Sequence, residues 1–438
     1  MYRTIYEDLI RWKASKSRKP LILEGVRQCG KTYLLKEFGK NEYDDTAYFN
    51  FEDMEHIVSI FDTDLDPNRI IEELGIFRKK PIVPGKTLLI FDEIQFCNRA
   101  ITSLKYFCEN APEYHVICAG SLLGVLLSKP YSFPVGKVDR VRMYSMSFRE
   151  FLIANGEEML CDHIEKAELG SNSIAPFSTR LSDYLKRYYI TGGMPEVVKE
   201  WISSKDVQAV EKIQSRILKD YVNDFAKHAE KDVNDLTQIW RSIPEQLSKE
   251  NKRFIFSHVR TGARSKDLEH ALEWLISAGL IHKVTKISGP MVPLSAYSDS
   301  TIFKIYFSDV GLLRKLADVD PRYMLEQREE FKHFKGAMAE NYVLNELLHM
   351  EKQPYYWRSD GNSEVDFVTG FGTKQVPIEV KAEKNNHSKS LGVYIEKYDP
   401  EIAIKTSMNS MGRVKNIFSV PLWMIWKLKD LSDRSFQK

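Results

Sequence analysis

The sequence predicts an α/β chain: a phosphate-binding loop on a doubly wound parallel sheet, a helix-rich middle ending in a helix and hairpin, and a second α/β domain at its C-terminal end. Three observations predict it. A glycine-lysine-threonine loop joins an apolar run to a helical stretch within residues 21–38. Apolar strands interleave with helical stretches up to about residue 155, the pattern of a parallel sheet covered on both faces. Beyond residue 360, two further strands carry charged residues at alternate positions.

The first of these is the most specific. GVRQCGKT, residues 25–32, fits G-x-x-x-x-G-K-[ST], in which Gly25 and Gly30 let successive backbone N–H groups turn toward phosphates. Lys31 is then placed for the β- and γ-phosphates of ATP and Thr32 for a Mg²⁺ ion. A strand over 20–24 enters the loop, and a helix over 32–38 leaves it with its positive end at the phosphates. The run TLLIFDE, residues 87–93, supplies the partner strand. Asp92 at its end orders the Mg²⁺ shell, and Glu93 is one residue further on, placed to take a proton from the attacking water. A third strand, 115–119, ends at Gly120-Ser121. Ser121 is either a sensor of the γ-phosphate or the cap of a helix over 122–128. Residues 46–51 alternate as another strand of the same sheet.

Length and composition set the frame for these motifs. A chain of 438 residues with 43% apolar residues divides into roughly two to four domains. Its net charge of +2 gives no global argument for nucleic acid, although residues 374–438 carry twelve Lys/Arg against seven Asp/Glu. The five cysteines include no C-x-x-C pair, which reads as reduced thiols rather than disulfides or a zinc site. The longest uncharged apolar stretch, residues 116–127, is too short to span a membrane. With charges in every turn of the N-terminal stretch, the expectation is a cytoplasmic chain with no membrane partner.

After about residue 155 the composition turns helical, and YITGGMPE, residues 189–196, reads as a turn between helices. The helical linker ends near 225. Residues 265–281 then show apolar positions at helical spacing between a Ser265 cap and a Gly279 stop, and a strand starts at 281. A capped helix running into a hairpin is the winged-helix pattern. Arg260, Arg264 and Lys266 at the helix entrance either meet DNA phosphates or stay solvated on a structural adaptor.

The last segment holds a second chemical signal. Glu340 falls on a helix over 336–347, Asp366 on a strand over 364–368, and Glu379 and Lys381 together on one face of a strand over 376–381. Phosphodiester cleavage needs Mg²⁺ to polarise the phosphate, work suited to Asp366 and Glu379. Lys381 would orient the water or offset developing charge.

GVRQCGKT, LLIFDEIQ and AGSLLGVLL, followed in order by VDRVRMYSMSFREFL and YYITGGMPEVV, resemble the prokaryotic AAA+ type ATP-binding proteins that carry a C-terminal domain of unassigned function. The likeness runs from about residue 3 to about 428. It implies an ATPase domain over 1–155, a helical linker over 156–225, a winged-helix-like domain over 226–325 and a nuclease-like domain over 326–438. The D-x(n)-E-x-K spacing of the tail resembles the PD-(D/E)XK nuclease core, with Glu340, Asp366 and Glu379 on the metal. Such ATPases also use an arginine at the γ-phosphate, for which Arg99, Arg140 and Arg142 are equal candidates. The expected partners are ATP and nucleic acid, DNA before RNA, with a second copy or another protein left open. The competing reading is a regulatory or partner-binding ATPase whose tail is catalytically silent.

Overall fold

The computed structural model describes residues 1–120, 134–229, 232–249, 251–325, 331–361, 363–383 and 388–432. Two units emerge, one from residues 1–144 with 274–280 and the other from 145–273 with 281–438.

The first unit is built on five parallel strands, β1 (Leu21–Gly25), β2 (Asp45–Asn50), β3 (Thr87–Asp92), β4 (His115–Gly120) and β5 (Asp139–Met143), in the order β2-β3-β4-β1-β5. Helices α1 (Ile5–Ala14), α2 (Lys31–Glu42), α3 (Pro67–Phe77) and α4 (Asn98–Asn110) alternate with them. The runs in β3 and β4 are buried along their whole length, as expected of parallel strands covered on both faces. Local signals set the helix boundaries: Asp66 accepts from the Asn68 N–H at 3.1 Å and Pro67 occupies the first turn of α3. Because β4 lies between β1 and β3, the chain leaves β1 and returns three strands away at β2. That reversal leaves a crevice at the carboxyl ends of the strands, where α/β sheets of this kind hold ligands.

The second unit begins with α5 (Phe148–Ala154), α6 (Glu158–Lys166), α7 (Ser178–Thr191), α8 (Pro195–Ser204), α9 (Val207–His228) and α10 (Val233–Ser248). It continues with α11 (Ser265–Ser277), whose last turn from residue 274 belongs to the first unit, and with α12 (Val310–Leu316), α13 (Lys332–His349) and α14 (Lys389–Tyr398). A reciprocal capping box starts α5, with Ser147 Oγ accepting from the Glu150 N–H and Glu150 accepting from the Ser147 N–H. The YITGGMPE segment is the turn between α7 and α8, and packing dictates its glycines. A Cβ on Gly192 (φ 69°) would lie 2.0 Å from Asp309 Oδ1, and one on Gly193 would lie 2.0 Å from the Met146 carbonyl oxygen. The buried Asp309 carboxylate instead accepts from the Gly193 N–H at 2.7 Å and caps α12 through the Leu312 N–H at 2.9 Å.

The sheet of this unit has eight strands, in the order β12-β13-β11-β10-β9-β8-β6-β7. Its members are β6 (Ile281–Ile287), β7 (Ser298–Phe307), β8 (Tyr355–Arg358), β9 (Glu364–Phe371), β10 (Lys374–Val380), β11 (Ala403–Ser407), β12 (Gly412–Val414) and β13 (Ile417–Pro421). The β6–β7 hairpin after α11 does not stand apart as a wing. It continues the sheet of the tail, with Lys286 of β6 paired parallel to Tyr356 of β8. The boundary drawn at residue 325 therefore falls within one continuous sheet. No helix of the described residues is long and apolar enough to cross a membrane.

Helix α13 carries a buried acid, Glu346, whose Oε1 accepts from the Phe148 N–H at 2.7 Å. Burial pushes its carboxyl up to about 8 against that bond, and the charge of Glu150 adds to the shift. The folded chain thus keeps a proton that the unfolded chain releases above about pH 4.3. Stability should fall as pH rises from there to about 8, by roughly 5 kcal/mol for this one group. Glu346→Gln is expected to flatten that decline. Thermal unfolding of both proteins between pH 5 and pH 8 checks it, and parallel pH profiles would refute it.

Candidate functional site

The loop after β1 has the backbone that its glycines were expected to permit. Gly30 caps α2 at φ 97°, and Gln28 is also left-handed at φ 67°. Gly25 has no room for a side chain, since a Cβ there would lie 2.3 Å from the Met143 carbonyl oxygen of β5. Lys31 is 6% exposed and folds back on the loop, donating to the carbonyls of Gly25 at 2.8 Å and Val26 at 3.0 Å. Those carbonyls hold the ammonium beside the loop, where an incoming phosphate would take it over.

From the first turn of α2, Thr32 reaches across to the end of β3. Its Oγ1 donates to Asp92 Oδ2 at 2.7 Å, and the Tyr48 hydroxyl of β2 donates to the same oxygen at 2.8 Å. Asp92 Oδ1 accepts from the Glu93 N–H at 3.1 Å. Asp92 is 2% exposed, so this carboxylate is fixed by three donors in a buried position. Glu93 follows in a left-handed conformation, φ 49° and ψ 41°, an uncommon backbone state for a non-glycine residue. Its carboxylate accepts from the Gln95 side-chain amide. A hydroxyl and a carboxylate already in contact are the hard oxygen donors that Mg²⁺ takes, and Thr32 and Asp92 fit that ion.

Of the three arginines weighed for the γ-phosphate, Arg140 and Arg142 stand on β5 and both pair with the buried Glu24, the latter at 3.2 Å. Glu24 immediately precedes Gly25. Arg99, in the first turn of α4, donates to the Phe61 carbonyl. Ser121 lies outside the described residues.

In the second unit, the acids singled out in the tail come together. Glu340 projects from α13, Asp366 from β9 and Glu379 from the end of β10, and all three are buried. Lys381 follows β10 and pairs with Glu379 Oε1 at 2.7 Å, while Asp366 Oδ2 accepts from the Val380 N–H at 2.7 Å. The sequence reading missed four neighbours. Lys304 of β7, 1% exposed in its side chain, lies 2.5 Å from Glu364 and 3.9 Å from Glu340 Oε2. Lys252 pairs with Glu340 Oε1, and the Tyr306 hydroxyl donates to Glu340 Oε2 at 3.0 Å. Lys304 did leave a trace, since a lysine inside the apolar run TIFKIYF is out of place on a buried strand. Glu364 sits two residues before Asp366 on the same strand. Nothing local marks Lys252.

Four carboxylates thus share a buried site with three ammonium groups. Burial, and then the charges of Glu340 and Glu379, push the Asp366 carboxyl well above the usual carboxylate range. Burial also raises Glu379, against the pull of Lys381. Glu340 runs the other way: burial opposes its charge, yet Lys252 and Lys304 hold it below its ordinary value. Lys304 stays protonated despite burial because Tyr306, Glu364, Glu340 and Asp366 surround it.

These facts divide the expected metal ligands. Glu379 Oε2 is buried with no hydrogen-bond partner among the described residues, an orphan that a cation would satisfy. With Asp366 beside it, the oxygen donors suit Mg²⁺. Glu340, which the sequence reading put on the metal, instead has both oxygens taken by lysines and a tyrosine. Among the described residues, no group of three or more His, Cys, Asp or Glu is disposed to hold a metal. Of the basic residues at the entrance to α11, Arg260 is paired with Asp235 at 2.8 Å, and Arg264 and Lys266 are exposed.

Comparison with known families matches residues 17–152 to a model described as an AAA domain. That stretch is similar to AAA domains. Residues 182–323 and 335–425 match two models that are both described as domains of unknown function, DUF8612 and DUF4143. Uncharacterized proteins of Mycobacterium bovis and Mycobacterium tuberculosis are each 34% identical over 80 residues, 18% of this chain. The match spans 17% of the length of these relatives. Among solved structures, the Aeropyrum pernix ORC1 protein in complex with DNA superposes at a TM-score of 0.28 with 10% identity, over 74% of this chain and 92% of that one. AMPPCP-bound DnaA from Aquifex aeolicus gives 0.29 with 14% identity, over 63% and 87%. Lys31, Thr32, Asp92 and Glu93 fall in the stretch matched as an AAA domain, and the carboxylate–lysine cluster lies in the DUF4143 stretch together with residues that precede it.

Proposed function

We propose that the chain is an ATP-hydrolysing AAA-type ATPase whose nucleotide cycle serves a tail that binds nucleic acid, DNA before RNA, and cleaves its phosphodiester backbone. The carrying observation is the pair of ready-made oxygen-donor sites, Thr32 with Asp92 and Asp366 with Glu379, each beside a lysine. Mg²⁺ at either place would draw electron density from the phosphoryl group.

The chain's own residues do the rest. In the AAA domain, Lys31 exchanges its two loop carbonyls for phosphate oxygens, and Tyr48 keeps Asp92 oriented when Thr32 turns away. Glu93 takes the proton of the attacking water as the new P–O bond forms and the β–γ bridge breaks, leaving ADP and phosphate. In the tail, burial disfavours the charged forms of Asp366 and Glu379, a penalty that a cation bound between them would offset. Lys381, held by Glu379, stands ready to offset charge on the cleaved phosphate.

A second reading is favoured by one observation, the capture of Glu340 by Lys252 and Lys304. In that reading the ammonium groups stand where a cation would otherwise act, and the tail binds without cutting.

One assay separates the two. The native chain, Lys31→Ala and Asp366→Ala are followed for cleavage of single- and double-stranded DNA and RNA with Mg²⁺ or Mn²⁺, with and without ATP, beside nucleotide binding and ATPase rates. Lys31→Ala should lose tight ATP binding, because it removes the loop's phosphate-facing ammonium. Asp366→Ala should lose cleavage by about a hundredfold or more while ATP turnover persists. A native chain that cuts nothing under any condition would leave the binding-only tail. Unchanged nucleotide affinity in Lys31→Ala would overturn the ATPase site.

A further inference from the structure

The basic residues first weighed for nucleic acid stand at the entrance to α11, but the second unit concentrates positive charge elsewhere. A groove of about 470 Å³ runs along α9 where α12 packs against it. Lys212, Arg216 and Lys219 line it from one face of α9 at the i, i+4 and i+7 positions, and Lys315 lines it from α12. The lining carries one acid, Glu211.

That acid does not neutralise the groove. Glu211 Oε1 accepts from the fully buried Arg314 at 3.2 Å and from Lys315 at 3.3 Å, so two cations already share it. Arg216 pairs with Glu196 at 2.5 Å, with both side chains about half exposed, and feels Asp220 as well. An exposed pair of this kind is worth little and exchanges readily for another anion. Lys212 and Lys219 are exposed and have no acid within ion-pair distance among the described residues.

We infer that this groove binds the phosphodiester backbone of nucleic acid. The inference rests on the nucleic-acid reading of the tail and names the surface that would carry it. Every lining side chain is polar, so the groove lacks the aromatic or aliphatic anchor around which protein interfaces are built. Lys212 and Lys219 are about 10.5 Å apart along the helix axis. A nucleic-acid strand advances about 3.4 Å per phosphate, so this row faces roughly three phosphates. A second groove of this unit differs in charge: Asp183 and Glu383 in its lining balance Lys186 and Lys335.

The test is fluorescence anisotropy of the full chain with labelled single-stranded DNA, duplex DNA and RNA, over a salt series. Lys212→Glu/Lys219→Glu is expected to weaken binding about tenfold or more. It should also flatten the plot of log affinity against log salt by about 2, since two phosphate contacts are lost. Lys212→Gln/Lys219→Gln should flatten the slope equally with a smaller loss. Unchanged thermal unfolding of both variants shows that the fold survives. If the native chain binds and the variants match it in affinity and slope, the groove is excluded and the nucleic-acid reading stands. If the native chain binds neither DNA nor RNA at low salt, that reading fails and the groove with it. Retention of polyglutamate without DNA or RNA would assign the groove to an acidic polypeptide and overturn the proposal.

Discussion

Glu93→Gln is expected to leave ATP binding intact and to slow hydrolysis by about a hundredfold or more. The substitution preserves shape and volume but removes the carboxylate that directly follows Asp92 at the end of β3. Its neighbours should not move. The left-handed backbone at 93 is set by the chain, and the Asp92 carboxylate is held independently by Thr32, Tyr48 and the residue-93 N–H. Single-turnover hydrolysis beside equilibrium nucleotide binding checks this. Turnover at the native rate would mean that the water gives its proton elsewhere.

Lys304→Met carries the second large effect, on stability. The methionine fills the space of the lysine stem but takes its ammonium from Glu340, Glu364 and Asp366, leaving Lys252 as the ion-pair partner of Glu340. Breaking one side of a buried charge cluster costs roughly 3–5 kcal/mol. For a unit of this size that lowers Tm by on the order of 10 °C. The penalty should shrink as pH falls through the carboxylate range, because protonated acids no longer need the ammonium. Calorimetry at neutral and acid pH measures both. An unchanged Tm would show that these three acids do not depend on Lys304.

The candidate nucleotide site was legible as a pattern because its residues are local. Gly25, Gly30, Lys31 and Thr32 fall within eight residues, and Asp92 and Glu93 end one apolar run, so spacing alone announces them. Tyr48 was not legible, because a tyrosine on an alternating strand looks like any half-buried aromatic until β2 pairs with β3 and brings it to Asp92. The cluster in the second unit divides in the same way. Asp366, Glu379 and Lys381 share two adjacent strands, but Lys304 lies 60 residues from Glu364 and Lys252 lies 88 from Glu340. Pairs so distant are made by sheet order and helix packing, which a single sequence does not display. The hairpin after α11 was legible as a hairpin. Its place beside β8 was not, since strand pairing leaves little trace outside the strands that pair.

That placement bears on how the chain can be divided. The two stretches of unknown function meet between residues 323 and 335, yet β6 and β7 from the first complete the sheet of the second. A fragment starting at residue 326 would expose the bare edge of β8 to other chains, an invitation to aggregate. It would also strip Lys252, Lys304 and Tyr306 from Glu340, leaving a buried acid with no counter-charge. The two stretches thus form one piece of architecture, each completing the other's sheet and charge balance.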